Sequence, residues 1–570
     1  MTKWPLGLRR IARKEKWAEP VAHVRFTAGE LIVPDRPAML TGDPPARFPA
    51  SLLHQGVRAM RMLLLIGLCV AAVDVCLLPA AEPAVTGPAG PVFKAGFADR
   101  DITPEIGMEQ PGGYGKSYHR TLHDPCKVRA AVFDDGQSRV AIVGLDALAV
   151  HRQTVLAVRR EIEKQCGIPA DAILISASHS HSSGPMFGVL PGEFDFASPL
   201  VQTLAYEKST GVNAKYLAHV EHQIVDAVCA ADGNRVEARA GVGRGIENQV
   251  AYNRRFRMRD GLSATHPGQG NPDIVEPAGP VDPEVGVLGA WDNNGKLLGC
   301  IVNFACHATT SPGGISANYI YDLEKVIRGY YGQDAVVVFL PGACGDITQV
   351  DNLSPLANRS SENWCRYVGG RVGAEALKVL LTIDTGALAP VKSASKLLQF
   401  QRRVPSPERV RKCLELVAED PKKVDATQWT FAKEIVLLDA RLSKEPVVEV
   451  EVQAVQIGPA IFLSDPAEYF CQFGLDIKAG SKFPFTFPVE LADGCVGYVP
   501  TEEALGPRGG GYETRLTSYS NLEPTAGRQM VDAALELAAK LQPGSVPTRP
   551  NAAPFRKGPW SYGAVPPELN

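Results

Sequence analysis

Ser176-Ala177-Ser178-His179-Ser180-His181-Ser182-Ser183-Gly184-Pro185 sets two imidazoles one residue apart inside a hydroxyl-rich loop. Imidazole is both the commonest metal ligand and the commonest general base near neutral pH. The pair therefore points to a hydrolytic metal site, provided partners exist elsewhere. Asn303-Phe304-Ala305-Cys306-His307 offers a third imidazole, and Phe462-Leu463-Ser464-Asp465-Pro466-Ala467-Glu468 offers a carboxylate. Gly494-Cys495-Val496-Gly497-Tyr498 adds a phenol. Each also has a structural explanation. His307 reads equally as a polar loop residue, Glu468 as an acid stabilised at a helix start, and Tyr498 as a buried tyrosine.

The flanking patterns say what must position these groups. Val128–Phe133 and Val140–Leu145 read as strands around the turn Asp134-Asp135-Gly136. Thr154–Lys164 carries apolar residues at helical spacing, and Gly167-Ile168-Pro169 ends it before the strand Ala172–Ser176. The order recurs in Leu297–Ala305, Leu323–Tyr331 and Ala335–Leu340, the last running into Pro341-Gly342-Ala343-Cys344-Gly345-Asp346. Strand, helix, strand at these lengths predicts parallel crossover units, and hence an α/β fold with a large mixed sheet and flanking helices. Functional loops of such sheets gather past the carboxyl ends of strands, where His179, His307 and Asp346 fall. Further on, 406–443 reads as a helical excursion, Val447–Ile457 and Ala460–Ser464 as strands, and Val531–Leu541 as a closing amphipathic helix.

The 570 residues carry a net charge of -3 with 45% hydrophobic and 21% charged positions, which gives no reason to expect nucleic acid as partner. Near the N-terminus Arg58-Ala59-Met60-Arg61-Met62 precedes the apolar run Leu63–Val73, and Pro79–Ala84 supplies small residues. That is the layout of a secretory signal peptide, so we expect an exported protein starting near Met60. Residues 1–59 are then an over-extended or disordered leader, 60–84 the signal, 92–545 the hydrolase domain and 546–570 a Pro-rich tail. The alternative is a genuine cytoplasmic extension before a signal anchor. The 12 cysteines include no C-x-x-C pair, and export permits disulfides whose pairing the sequence does not reveal.

Ala177-Ser178-His179-Ser180-His181-Ser182-Ser183-Gly184-Pro185 resembles the T-H-x-H-S-G-P segment of the neutral/alkaline non-lysosomal ceramidases. Other stretches follow in the same order: Gly96 to Pro104 with Asp101-Ile102-Thr103-Pro104, Leu122 to Ala130, Tyr252-Asn253-Arg254-Arg255, and Gly342-Ala343-Cys344-Gly345-Asp346-Ile347-Thr348. The resemblance spans about Phe93 to Leu541. It implies a Zn2+ amidase with His179, His307, Glu468 and Tyr498 as metal ligands and His181 as their neighbour. Arg254 and Tyr512 would face the scissile amide, and Thr348 falls where the family carries a serine. Zinc would lower the pKa of a bound water to about 7, and His181 would shuttle a proton to the leaving amine. Threonine adds a methyl that crowds a nucleophile, so a hydrogen-bonding role for Thr348 fits better than covalent catalysis. The family's immunoglobulin-like C-terminal domain is expected to be missing, which weighs against ceramide itself.

The expected substrate is a small-molecule or lipid N-acyl compound, with a peripheral membrane contact left open and the oligomeric state unread. Two alternatives stay beside it: a zinc esterase or deacetylase acting on polysaccharide, and a metal-binding surface module without turnover.

Overall fold

The computed structural model describes residues 92–356, 359–552, 562–563 and 565–570. The leader 1–59, the signal segment 60–84 and part of the Pro-rich tail lie outside the described residues. Residues 543–552 follow the last helix without regular secondary structure, and the Arg549 backbone N–H donates to Asp384. Among the described residues no helix is long and apolar enough to cross a membrane.

Eight strands form the main sheet, in the spatial order Val336–Pro341, Leu297–Phe304, Glu284–Asp292, Val236–Ile246, Lys94–Asp101, Lys127–Asp134, Arg139–Leu145, Ile173–Ala177. Both outermost pairs are parallel, and the pairs between them are antiparallel. The expected mixed α/β sheet is therefore present, and so are both crossover units. Helix Arg152–Cys166 links Arg139–Leu145 to Ile173–Ala177, and helix Tyr319–Tyr331 links Leu297–Phe304 to Val336–Pro341. Gly167 ends the first helix at φ 67, a left-handed cap that glycine adopts without a Cβ penalty.

The sheet curls until strands from its two halves meet. A Cβ on Gly144 would lie 2.6 Å from the Phe339 carbonyl oxygen, so glycine is what permits this backbone approach. Curling brings the carboxyl ends of Ile173–Ala177 and Val336–Pro341 to one region, and both strands are wholly buried. Apolar runs without alternation are what a sheet covered on both faces requires.

A second sheet of four strands, Val391–Gln401, Val447–Ile457, Ala460–Asp465 and Phe485–Glu490, packs alongside, with helix Ala526–Lys540 on it. The excursion at 406–443 resolves into two helices, Pro407–Ala418 and Ala426–Leu442. One expectation fails here. Glu468 does not begin a helix: it sits in the two-residue strand Glu468–Tyr469, and the next helix, Cys471–Gly480, has Phe470 as its N-cap. The helix dipole therefore does not explain this carboxylate. Its backbone pairs instead in parallel with Tyr498–Val499. A disulfide, Cys166–Cys229, ties the end of helix Arg152–Cys166 to helix Ala214–Gly233.

Behind the sheet, Arg129 is buried between Asp146 at 2.8 Å and Glu324 at 2.5 Å, and Lys127 and Arg328 also reach Glu324. Burial opposes the charge on Glu324, but these cations outweigh it and hold the carboxyl down at about 2. A depressed carboxyl stabilises the fold fully above its unfolded value near 4.5 and loses that contribution as pH falls towards 2. Glu324→Gln should cost about 3 kcal/mol in urea denaturation at pH 7, since it strips a buried arginine of a partner. The gap to wild type should shrink markedly at pH 3. An equal gap at both pH values would show that the ion cluster is not the source.

Candidate metal centre and its cavity

His179 follows the buried strand Ile173–Ala177 and takes φ 63, a left-handed conformation costing about 1–3 kcal/mol for a residue with a side chain. Hydrogen bonds on both sides hold it there: the Ser178 N–H donates to the Leu145 carbonyl at 2.8 Å and the Ser180 N–H to the Ala147 carbonyl at 2.9 Å. The serines of the loop have their own work. Ser180 Oγ donates to the Ser316 carbonyl and accepts from Asn318, and Ser183 Oγ donates to the Ser180 carbonyl. Hydroxyls thus replace water for a buried, irregular backbone.

His307 lies just beyond Leu297–Phe304, its N–H pointing at the Ile347 carbonyl. The two imidazoles are fixed alike. Nδ1 of His179 meets the Leu148 carbonyl at 2.9 Å, and Nδ1 of His307 meets the Cys344 carbonyl at 2.7 Å. A carbonyl can only accept, so each Nδ1 carries the proton and each Nε2 presents a lone pair inward. Glu468 Oε2 lies 3.3 Å from His179 Nε2 and 3.0 Å from His307 Nε2. One ligand atom from each of the three residues falls within 4.8 Å of the others. A tetrahedral cage with bonds of about 2.1 Å has edges of about 3.4 Å, so the spacing suits a transition-metal dication. Two imidazole nitrogens and a carboxylate turned on one point need positive charge among them, either a proton shared between His179 and Glu468 or a metal cation, and the donor set fits the cation.

His181 Nε2 stands 3.1 Å from His179 Nε2. Burial and then the neighbouring His179 and His307 push its value well below that of a free imidazole. His307 is likewise lowered, to about 3, by burial and by Arg254. For Glu468 burial opposes ionisation, but His179, itself raised by the facing carboxylate against the cost of burial, outweighs it when no metal is bound and keeps the carboxylate charged.

The strand pairing that displaced Glu468 from a helix start sets it opposite Tyr498. The Tyr498 hydroxyl bonds with Glu468 and accepts from Arg254 Nη2 at 3.0 Å. Arg254 is itself buried and anchored, with Nε donating to Glu513 at 2.6 Å and Nη2 to the Gly345 carbonyl at 2.8 Å. Tyr512, 37% exposed, packs edge-on to Tyr498 at 5.5 Å. Of the eight residues singled out from sequence, seven thus gather around one point: His179, His181, His307, Glu468, Tyr498, Arg254 and Tyr512. Thr348 follows Ile347, whose carbonyl accepts from the His307 N–H at 3.4 Å. It is buried in the bridge Ile347–Thr348, paired with Tyr252–Asn253, and its hydroxyl donates to Gln349 Oε1 at 3.4 Å. Like His307 and Arg254, it is not among the residues that line the cavity described next.

That cavity, of about 610 Å³, opens over His179, His181, Glu468 and Tyr498. Its walls include Leu148, Leu156, Phe187, Val189, Leu437 and Val450, and farther along the paired charges of Arg441–Glu193 and Arg402–Glu445.

Three supporting residues escaped the sequence reading. Tyr519 donates to Glu468 Oε1 at 2.7 Å. Glu490, fully buried and pushed up to about 8 by burial, accepts from the Cys344 N–H and Sγ at 2.7 Å each. It thereby fixes the loop whose carbonyl orients His307. Cys344 and Glu490 also approach His307 as a second trio, but burial pushes the Cys344 thiol well up and Glu490 up to about 8, so that trio offers poorer anionic ligands than the first. Glu513 anchors Arg254. An acid closing the apolar strand Phe485–Glu490 was a usable signal; Tyr519, in a polar run, carried none.

Compared with known proteins, the chain matches no family model. It is 25% identical over 333 residues to the neutral ceramidase of Pseudomonas aeruginosa, a match covering 55% of this chain and 46% of that relative. The chain thus aligns with about half the length of the relative. The crystal structure of neutral ceramidase from Pseudomonas aeruginosa shares the fold, with a TM-score of 0.58 at 20% identity over 80% of this chain and 76% of that one. A ceramidase complexed with C2 gives 0.57 at 20% identity over 81% and 77%. The resemblance to neutral ceramidases is therefore found in sequence and in fold.

Removing the phenol that steadies Glu468 tests the cage directly. Tyr519→Phe should weaken divalent-metal affinity about 10–100-fold in competition with a chromophoric chelator while the metal-free chain stays folded, with an unaltered far-ultraviolet circular dichroism spectrum. Unaltered affinity would mean that this hydrogen bond does not orient the carboxylate.

Proposed function

From the fold and motif order shared with neutral ceramidases, we propose that this chain is an exported, zinc-dependent hydrolase cleaving the amide bond of an N-acyl substrate, ceramide or a related N-acyl amine. The observation that carries the reading is the convergence of His179, His307 and Glu468 on one point at the cavity wall, with Tyr498 and Arg254 beside them. Two neutral imidazoles and a carboxylate are a common ligand set of hydrolytic zinc, which supplies a Lewis acid to activate water and polarise a carbonyl. Tyr498, paired with Glu468 along the backbone, is the fourth ligand in this reading.

The remaining residues divide the work. Arg254, held by Glu513, sets a positive charge where the carbonyl oxygen gains negative charge, and such a group typically contributes about 3 kcal/mol to a transition state. Anchoring costs nothing during reaction, because the guanidinium is already oriented. His181 lies against the cage with Nε2 3.1 Å from His179 Nε2, and in this reading it passes a proton taken from the attacking water to the departing amine. Tyr512 at the rim, packed 6.2 Å from Tyr114, shields the reacting amide from bulk water. The apolar walls take up the acyl chain. Thr348 contributes through the backbone: its neighbour Ile347 receives the His307 N–H. Export is supported by the basic, apolar and small-residue run from Arg58 to Ala84 and by the Cys166–Cys229 disulfide, which suits an oxidising compartment.

Purified at neutral pH, the chain should hold about one zinc by elemental analysis, and His179→Ala and His307→Ala should each abolish retention. Short-chain N-acyl amides should be hydrolysed, activity should vanish with a chelator, and added zinc should restore it. A chain free of transition metal, or turnover indifferent to the chelator, would overturn the proposal, and cleavage of acyl esters alone would reassign the bond.

A further inference from the structure

Two excursions of the chain, 190–208 and 403–445, roof the cavity and supply Leu190, Glu193, Glu434, Leu437 and Arg441 to its wall. Each leaves and returns through a narrow neck. At the first, the Val189 N–H donates to the Thr210 carbonyl and the Val212 N–H to the Val189 carbonyl, both at 2.9 Å. At the second, the Arg402 N–H donates to the Pro446 carbonyl at 2.9 Å, where the pairing of Val391–Gln401 with Val447–Ile457 ends. Beyond the necks the excursions hold each other. Phe194, with Val201 and Leu204 of helix Pro199–Tyr206, packs against Ala432, Val436 and Leu437 of helix Ala426–Leu442 in a cluster separate from the cores of the two sheets. Arg441 adds an ion pair with Glu193 and lies over the Phe194 ring, and Lys444 lies over Phe196. Narrow necks and a private core are what a body needs to move without unfolding.

The contacts that join this roof to the walls below are of another kind. Lys433 and Glu434 are a buried pair, with side chains 1% and 4% exposed. Lys433 Nζ donates to the Tyr114 carbonyl at 2.8 Å and to Ser209 Oγ at 2.7 Å, and the Ser518 hydroxyl donates to Glu434. Phe431 packs edge-on to Tyr114 and Tyr512, at 5.5 and 6.5 Å. A purely apolar seam would bind the roof for good. Buried charges regain water when parted, which offsets much of the lost bonding and brings the closed and parted states close in free energy.

We propose that 190–208 and 403–445 form a lid that swings as one body on its two necks, opening the cavity to substrate and closing through Lys433 and Glu434. The inference rests on the cavity being the substrate site and adds the motion that governs it. When closed, the lid meets Tyr512 through Phe431, and through Glu434 it meets Ser518, next to the Tyr519 that holds Glu468. Closure therefore sets both tyrosines in place, which makes Lys433 and Glu434 positioning residues.

Nitroxide pairs in the full chain read the motion by double electron–electron resonance, with Cys413→Ser and Cys495→Ser removing the partly exposed free thiols. The lid–body pair Glu415→Cys with Lys378→Cys should give two distances, and Lys433→Met should raise the minor one from about one-tenth to about nine-tenths of the population. The lid–lid pair Leu200→Cys with Glu415→Cys should keep a single distance in both backgrounds, which also shows that the variant is folded. Phe431→Ala, which removes a different contact, should shift the lid–body pair the same way, and Lys433→Arg, which keeps a charged donor, should leave the ratio near that of wild type. With N-octanoylpropylamine, kcat/KM should fall about tenfold in Lys433→Met, in step with the closed fraction, and be largely retained in Lys433→Arg. A lid–body distance indifferent to Lys433→Met, or a lid–lid distance that changes with it, would overturn the lid. An unchanged kcat/KM beside a shifted lid would overturn its hold on Tyr512 and Tyr519. A lid that moves as described in a chain without turnover would uphold the lid and refute the hydrolase.

Discussion

His179, His307 and Glu468 turn two lone pairs and a negative charge towards one another at 3.0–3.3 Å, and much of the surrounding structure exists to hold them there. Such an arrangement holds together only with positive charge inside it, a proton on His179 or a metal cation. It persists because each ligand is tied down on its far side, by Leu148, Cys344 and Tyr519 respectively. Those ties have supports of their own. Glu490 grips Cys344, and hydrogen bonds from Ser178 and Ser180 keep His179 in its left-handed conformation. The cage is a small volume of unfavourable electrostatics surrounded by favourable hydrogen bonds, which is how a protein prepares a place for a cation.

The same logic governs the ground beside the cage. Arg254 is a buried cation that would be costly alone, yet Glu513, Tyr498 and the Gly345 carbonyl meet its donors. Its charge is therefore available without being mobile. Burial of so many polar groups is sustained by the sheet beneath, whose strands are apolar on both faces and whose curl brings two carboxyl ends together. The close pass of Gly144 against Phe339 belongs to this arrangement as much as any ligand does, because a side chain there would force the halves of the sheet apart.

Local patterns made the scaffold legible. Both crossover units, the Asp134-Asp135-Gly136 turn and the strand Val447–Ile457 follow from periodicity and breakers, which act over a few residues. The motif order also carried most of the site, since His179, His307, Glu468, Tyr498 and Arg254 could be named before any contact was known. Glu468 shows where such reasoning runs out. An acid after a proline reads as a helix start by local rules, whereas the structure pairs it with a strand thirty residues further on. Thr348 was singled out by its place in a motif, and its hydroxyl meets Gln349 in this structure.

By itself the chain determined which residue types were available, the strand and helix segments that carry them, and their delivery to loops past strand ends. These are consequences of side-chain periodicity and backbone preference, which neighbouring residues settle among themselves. Tertiary structure alone decided the ring orientations, the recruitment of Tyr519, Glu490 and Glu513, and the Cys166–Cys229 pairing. Each depends on a contact between segments far apart in the chain, and hydrogen bonds act over about 3 Å, a distance that only folding sets.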